Sequence, residues 1–507
     1  MPHRIVIVAS QWCAIAATVL ILGACAHPES RIAPTEGSPA FVSSEVNSDG
    51  RATFYTKQAV AKYRAKDFVG AIDDASRAIQ LRPEYAVAYA TRAAIRLQMG
   101  DYAGADRDAT ESLRLDSQQP SDSYMIRAIA KYNLQDYPGA LEDNTKAIEL
   151  APAHALAYAN RAGTKRKLGD VPGALDDLSR MIALAPANAW GYRLRGDVRG
   201  DIGDWSAALD DYNQALTLTA ADAHAFANRS HVRIQLGDLQ GAMRDVEAAL
   251  KQDPHHPEAY VNRGWVKLLS GNPQDALADF SLAMTYNPEL RGAYVLRAEA
   301  HMQLGEFGPA REDLNRAIAL GDDHPKTYFA RAKTLLSLGD VPEAVEDYSE
   351  AIRLAPGDPI VYANRGWAKF LLEDTQGALE DLGQAIQLHP NYEYAYAARG
   401  RVELTLHRYQ AVLDDTTRAV SIAPRYAEPY LLRGLAKLEI GDLIGALSDT
   451  SISITLDTTN AEAYLARGLV YLALNEPKNA RHDFSKAGEI SPALLQQIRE
   501  RQTEKDT

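Results

Sequence analysis

Side chains that could carry chemistry are plentiful in this chain of 507 residues, but few are grouped so that they could act together. Histidine is the first candidate, because it serves as a general base or a metal ligand near neutral pH. His224 and His231 lie seven residues apart, about 10 Å along a helix, too far to share one metal ion without further ligands. His255 and His256 sit between Pro254 and Pro257, the composition of a solvated turn. No Cys or carboxylate constellation accompanies the histidines, and neither a nucleophile elbow nor a phosphate-binding glycine loop occurs. An enzyme, a cofactor and a metal site are therefore not expected.

The charged residues are ordered in another way. Arginine recurs at 92, 127, 161, 195, 229, 263, 297, 331, 365, 399, 433 and 467, every step being 34 residues except the first, which is 35. With each arginine numbered position seven, thirteen units run from about Ala52 to Leu494, the first having Gln58 in its place. Position 23 is aspartate in all thirteen. An arginine on a largely apolar face costs several kcal/mol if buried unpaired, so these aspartates are its candidate partners. Pairing within a unit and pairing from one unit to the next are both possible. Gln58 favours the second, since an arginine there would have no preceding aspartate. Asp279 is then expected to hold Arg297, and Asp347 to hold Arg365, as bolts that set the register between neighbours.

The elements that carry these residues follow from the same period. Position four is tyrosine in twelve units and Phe226 in the other, and position eight is always Gly, Ala or Ser, which places an aromatic and a small residue on one helix face. Position 20 is alanine except at Val412, and position 27 is alanine except at Ser112, Met181 and Ser453, so a second helix offers a small inner face. Glycine at position 15 in eight units, commonly before aspartate, ends one helix and caps the next, while proline at position 32 in nine units closes the pair. This pattern resembles the tetratricopeptide repeat (TPR), whose period is 34 residues. The resemblance implies an all-α, right-handed α-solenoid superhelix of about 13 tandem helix-turn-helix units, with first helices on the concave side. After it, residues 491–507 form an expected C-terminal capping helix and tail, with Leu494, Leu495 and Ile498 on one face.

The net charge of −13 disfavours nucleic acid as the main partner. Both cysteines, Cys13 and Cys25, precede the repeats, so the folded region has no disulfide. Arg4, an apolar run from Ile5 to Leu22 and small residues after it have the layout of a secretory signal over residues 1–24. Leu22-Gly23-Ala24-Cys25 resembles the lipobox of bacterial lipoproteins, which implies lipidation at Cys25; an uncleaved anchor helix is the alternative. Residues 25–51, rich in Pro, Ser, Gly and Glu, read as a flexible tether before repeats spanning 52–494. The expected location is extracytoplasmic and membrane-anchored, facing the periplasm from the outer membrane if the cell is Gram-negative.

Function should then sit on positions that the repeat does not dictate, which in the TPR fold are 2, 5, 9, 12 and 13 of the first helix. Units seven to eleven are the most apolar there, and Trp265, Leu268, Phe329, Trp367, Phe370, Tyr394 and Leu404 form the candidate groove. Packing of the same rings against neighbouring helices is the other reading. Arg166, Lys167, Arg193, Asp197 and Asp201 of units four and five could steer an acidic segment. The expected function is a non-enzymatic scaffold that presents a groove to protein or peptide partners in secretion, envelope assembly or polymer export. A polysaccharide-binding envelope module, using the aromatics as stacking platforms, is the alternative.

Overall fold

The computed structural model describes residues 48–115 and 120–492. Among these residues it holds 26 helices and no strand. A first helix such as Pro359–Leu371 alternates with a second such as Thr375–Leu388, in the register that the period predicts. The first helix of the first unit, Ser48–Arg64, begins before Ala52 and takes in residues 48–51, which the sequence assigns to the tether. The one 35-residue step is taken up between Tyr102–Arg114 and the next helix, Pro120–Asn133. The signal segment, Cys25, most of the tether, and Leu494, Leu495 and Ile498 of the capping helix lie outside the described residues.

The turn inside each pair depends on a left-handed backbone at position 15. Gly100, Gly169, Gly203, Gly237, Gly271, Gly305, Gly339 and Gly441 supply it at little steric cost, and where glycine is missing Lys66, Gln135, Glu373, His407 and Asn475 adopt it, with φ between 57° and 64°. The next residue caps the second helix. Asp374 Oδ1 accepts from the Gly377 amide at 2.9 Å, and Asp67, Asp101, Asp136, Asp170, Asp238 and Asp442 repeat the bond in their own units.

Small residues bring the paired helices together. The position-20 alanines, Ala71 to Ala480, have no exposed surface, and the exceptional Val412 is equally buried. On the facing helix, a Cβ added to Gly366 would lie 3.0 Å from Leu382 Cγ and 3.1 Å from the Ala378 carbonyl oxygen. Glycine there sets the approach of the helix axes.

The chain divides into two compact bodies. One contains the described residues up to Ser270 with Thr285–Asn287; the other contains Gly271–Met284 with the described residues from Pro288 onward. The core of the first is continuous from Ala59 to Val198 through Ile95, Met125 and Leu178. In the second, Tyr348, Leu382 and Leu431 anchor successive clusters.

Candidate functional site

The repeated ion pairs close within units, which overturns the expected pairing between them. Arg365 directs Nε and Nη2 to Asp381 at 2.8 and 2.7 Å, and Arg297 meets Asp313 in the same way, at 2.8 and 2.7 Å, rather than Asp279. Asp347, the expected partner of Arg365, is held by Arg331. The reason is the geometry of an antiparallel hairpin. Positions seven and 23 are equidistant from the turn at position 15 and so lie level across the pair. Gln58 does not leave Asp74 without a cation, because Lys62 Nζ reaches it at 2.6 Å. Lys62 stands at position 11, one turn beyond position seven, and Arg96, Lys131, Lys165, Arg199, Arg233, Lys369 and Lys437 add a second cation to their aspartates from that position.

Contact with the preceding unit runs through a neutral group instead. The third arm of the guanidinium, Nη1, donates to position 25 of that unit: Arg92 to Ser76 at 3.1 Å, Arg297 to Ser281 at 3.0 Å, Arg331 to Asn315 at 2.8 Å and Arg365 to Ser349 at 3.1 Å. The aromatic at position four lies under the same guanidinium, as Tyr362 does for Arg365 at 5.6 Å from the ring centre. Tyrosine there also donates its hydroxyl to the position-32 carbonyl of the preceding unit, as in Tyr260 to Pro254 at 3.0 Å and Tyr430 to Pro424 at 3.2 Å. These residues build the repeat, which leaves the first-helix face for function.

On that face the seven candidate groove residues have different environments. Leu268 is 3% exposed and belongs to the interior. Trp265 is half-buried beside Val266 and Ile234, its ring 5.4 Å from His231. Phe329 packs on Tyr348, Phe370 on Trp367 at 5.4 Å, and Leu404 against the Val412 cluster. Of the seven, Trp367 and Tyr394 line an open cavity, of about 410 Å³, completed by Tyr426, Arg401, Glu428, Asp457 and Asn460. Three consecutive units contribute. Trp367 stands on Pro359–Leu371, Tyr394 and Arg401 on Glu393–Thr405, Tyr426 and Glu428 at the start of Ala427–Glu439, and Asn460 caps Ala461–Ala473.

Arg401 is fixed at one side of this cavity by two carboxylates from the next two units. It bonds Glu428 Oε1 through Nε at 3.1 Å and more closely through Nη2, and Glu462 through Nη1 at 2.7 Å. Burial alone would lower the guanidinium, but its bonds to Glu462 and Glu428 outweigh burial and hold it above its usual range. Burial, aided by Glu428, raises the Tyr394 and Tyr426 phenols, which stay neutral. Apolar residues alone do not reveal this cavity. The missed signal is the opposed charge at position nine, Arg401, and position two, Glu428 and Glu462, together with position 34, Tyr426 and Asn460, just before the first helix.

The first body carries a polar cluster on its own first-helix face. Asp197 accepts from Tyr212 at 2.7 Å and Asn228 at 2.8 Å, and Arg193 lies 3.4 Å from Asp222. Arg166 is paired with Asp201. Arg166, Arg193, Asp197 and Asp201 are thus engaged in ion pairs on this face, whereas Lys167 is exposed. His256 is 2% exposed, not in a solvated turn, and its Nε2 lies 2.9 Å from His224 Nδ1. Glu258 stands 3.2 Å from its other nitrogen. Burial lowers the His224 imidazole, helped by His256 and Arg193. Among the described residues, no group of three or more His, Cys, Asp or Glu is placed to hold a metal ion, and no helix is long and apolar enough to cross a membrane.

Tetratricopeptide-repeat family models match residues 295–359 and 461–494, and a model described as the ETO1 C-terminal domain matches residues 124–268. Among the described residues the fold is an all-helical, TPR-like solenoid. The crystal structure of the APC/C hetero-tetramer Cut9-Hcn1 is similar in fold, with a TM-score of 0.53 at 15% identity over 87% of this chain and 94% of that chain. A tetratricopeptide repeat protein from Parabacteroides merdae gives a TM-score of 0.43 at 17% identity over 49% and 97%. A thermophilic TPR protein from Thermus thermophilus gives 0.32 at 23% over 36% and 99%. No curated protein matches the chain in sequence. TPR proteins are generally non-enzymatic and bind other proteins, and a scaffold of this kind suggests a role in protein–protein interaction.

Proposed function

We propose that this protein is a lipid-anchored scaffold that binds an extended segment of a protein partner along its first helices. The observation that carries the reading is the cavity of about 410 Å³ between Trp367, Tyr394 and Tyr426, which falls in the size range of a ligand pocket. Trp367 and Tyr394 are held by packing and Arg401 by its carboxylates, so little ordering remains to oppose binding. Trp265 and Trp367 are half-buried against neighbouring side chains, which suits a peptide side chain better than stacking of sugar rings. Selection of phage-displayed peptides on the full chain tests the reading. Enriched peptides that lose at least about tenfold in affinity on Trp367→Ala are expected. Failure to enrich any sequence, or binding indifferent to Trp367→Ala, would overturn it.

The anchoring part rests on Leu22-Gly23-Ala24-Cys25 alone. On this reading the repeats stand outside the cytoplasm, in a secretion, envelope-assembly or polymer-export setting, facing the periplasm from the outer membrane if the cell is Gram-negative. Metabolic labelling with a tagged fatty acid checks it. The intact chain should take up label and sediment with membranes, and Cys25→Ala should do neither; equal labelling of the two would refute lipidation at Cys25.

A further inference from the structure

The charge around the Trp367 cavity points to the kind of residue it would receive. Asp457 and Glu428 line it and Glu462 stands beside it, so the cavity and its rim hold three carboxylates and the single guanidinium of Arg401, which pairs with two of them. Arg401 engages Glu428 through Oε1, and Glu428 Oε2 keeps lone pairs for another donor. Asp457 is not tied to Arg401; it accepts from the Thr459 amide and hydroxyl through Oδ1. The remaining walls are aromatic, and the faces of Trp and Tyr attract cations.

An anionic occupant would have to displace two carboxylates from Arg401 and enter a site already in excess of negative charge. A purely apolar occupant would leave Asp457 and Glu428 with poorer solvation and no partner. A cation meets neither penalty. We infer that the cavity is a recognition pocket for a basic side chain, arginine or lysine, of the bound segment, seated on the rings of Trp367, Tyr394 and Tyr426 and hydrogen-bonded to Glu428 and Asp457. Arg401 acts as a positioning residue that holds Glu428 in place from the neighbouring unit. The inference rests on the peptide-scaffold reading and names the residue that would give it specificity.

The test uses the full chain and five pools of nonapeptides with randomised flanks and a fixed central arginine, lysine, citrulline, glutamate or leucine. Citrulline keeps the shape of arginine and removes its charge. Fluorescence anisotropy should show the arginine and lysine pools binding on the order of tenfold more tightly than the citrulline pool, a gap that narrows as salt is raised. Glu428→Gln should narrow it too. Because Glu428 also ties Arg401, Asp457→Asn is measured beside it and should narrow the gap without disturbing that tie. Preference for glutamate or leucine, or equal binding of arginine and citrulline, would overturn the inference while leaving a Trp367-dependent scaffold standing. If no pool binds, both readings fall.

Discussion

Each position-23 aspartate is buried, and how many cations hold it differs from unit to unit. Asp381 has both Arg365 and Lys369, whereas position 11 of the next unit is Glu403, and Arg399 supplies the bidentate pair to Asp415. Removing one member of a buried pair is strongly destabilising because the other charge is left uncompensated. Arg399→Leu should therefore cost about 3 kcal/mol, and Arg365→Leu about half as much, since Lys369 remains. Hydrogen exchange over Tyr409–Ile422 and Thr375–Leu388 checks this, and equal losses in the two hairpins would show that position 11 is irrelevant. That arginine and aspartate belong together was legible from their recurrence. Which pairs form was not, because Gln58 points to pairing between units while the symmetry of both positions about the turn decides for pairing within them. The tyrosine at position four was legible as packing, but not its hydroxyl, because a carbonyl acceptor leaves no trace in residue type.

Helix pairs and their turns were read correctly because glycine, aspartate, alanine and proline each mark a backbone requirement. Glu373 occupies the left-handed turn position with φ 63°, a conformation that disfavours residues with a Cβ. Glu373→Gly should stabilise its hairpin by about 0.5 kcal/mol, after the greater entropy of glycine in the unfolded chain offsets part of the gain. Thermal melting checks this, with Gly339→Glu expected to shift in the opposite direction. Gly366→Val should cost about 3 kcal/mol, as the added atoms meet Leu382 and the Ala378 backbone. The first body should also loosen in acid around Ala223–Gln235. His224, facing His256, Arg193, Asp222 and Glu258, is held below its ordinary 6.5, so the folded form favours neutral imidazole. That contribution is complete above pH 6.5 and lost as pH falls through the depressed value. Protection factors of this helix against hydrogen exchange, corrected for the intrinsic rate at each pH, should fall below about pH 6, and His224→Asn should flatten the dependence. His256 escaped sequence reading because flanking prolines mark a turn without saying which of its side chains fold inward.

At the scale of the whole molecule, the repeat period specified the number and order of helices among the described residues, and the family models and the Cut9-Hcn1 likeness agree with that reading of the fold. Binding residues were less legible, because they stand where the period is silent, and five of the seven candidate groove side chains went into packing or lie away from the open cavity. Charge order along the first-helix face, read from Arg401 to Glu428 and Glu462, carries more information there than apolar content. That same tie has a mechanical meaning. Most links in such an array join neighbours only, so a chain pulled from its end should peel one unit at a time. Arg401 spans two joints at once, which makes the last three units share a load like strands under one stitch. In a single-molecule pulling experiment they should release together in one large step, and Arg401→Met should split that step into smaller ones.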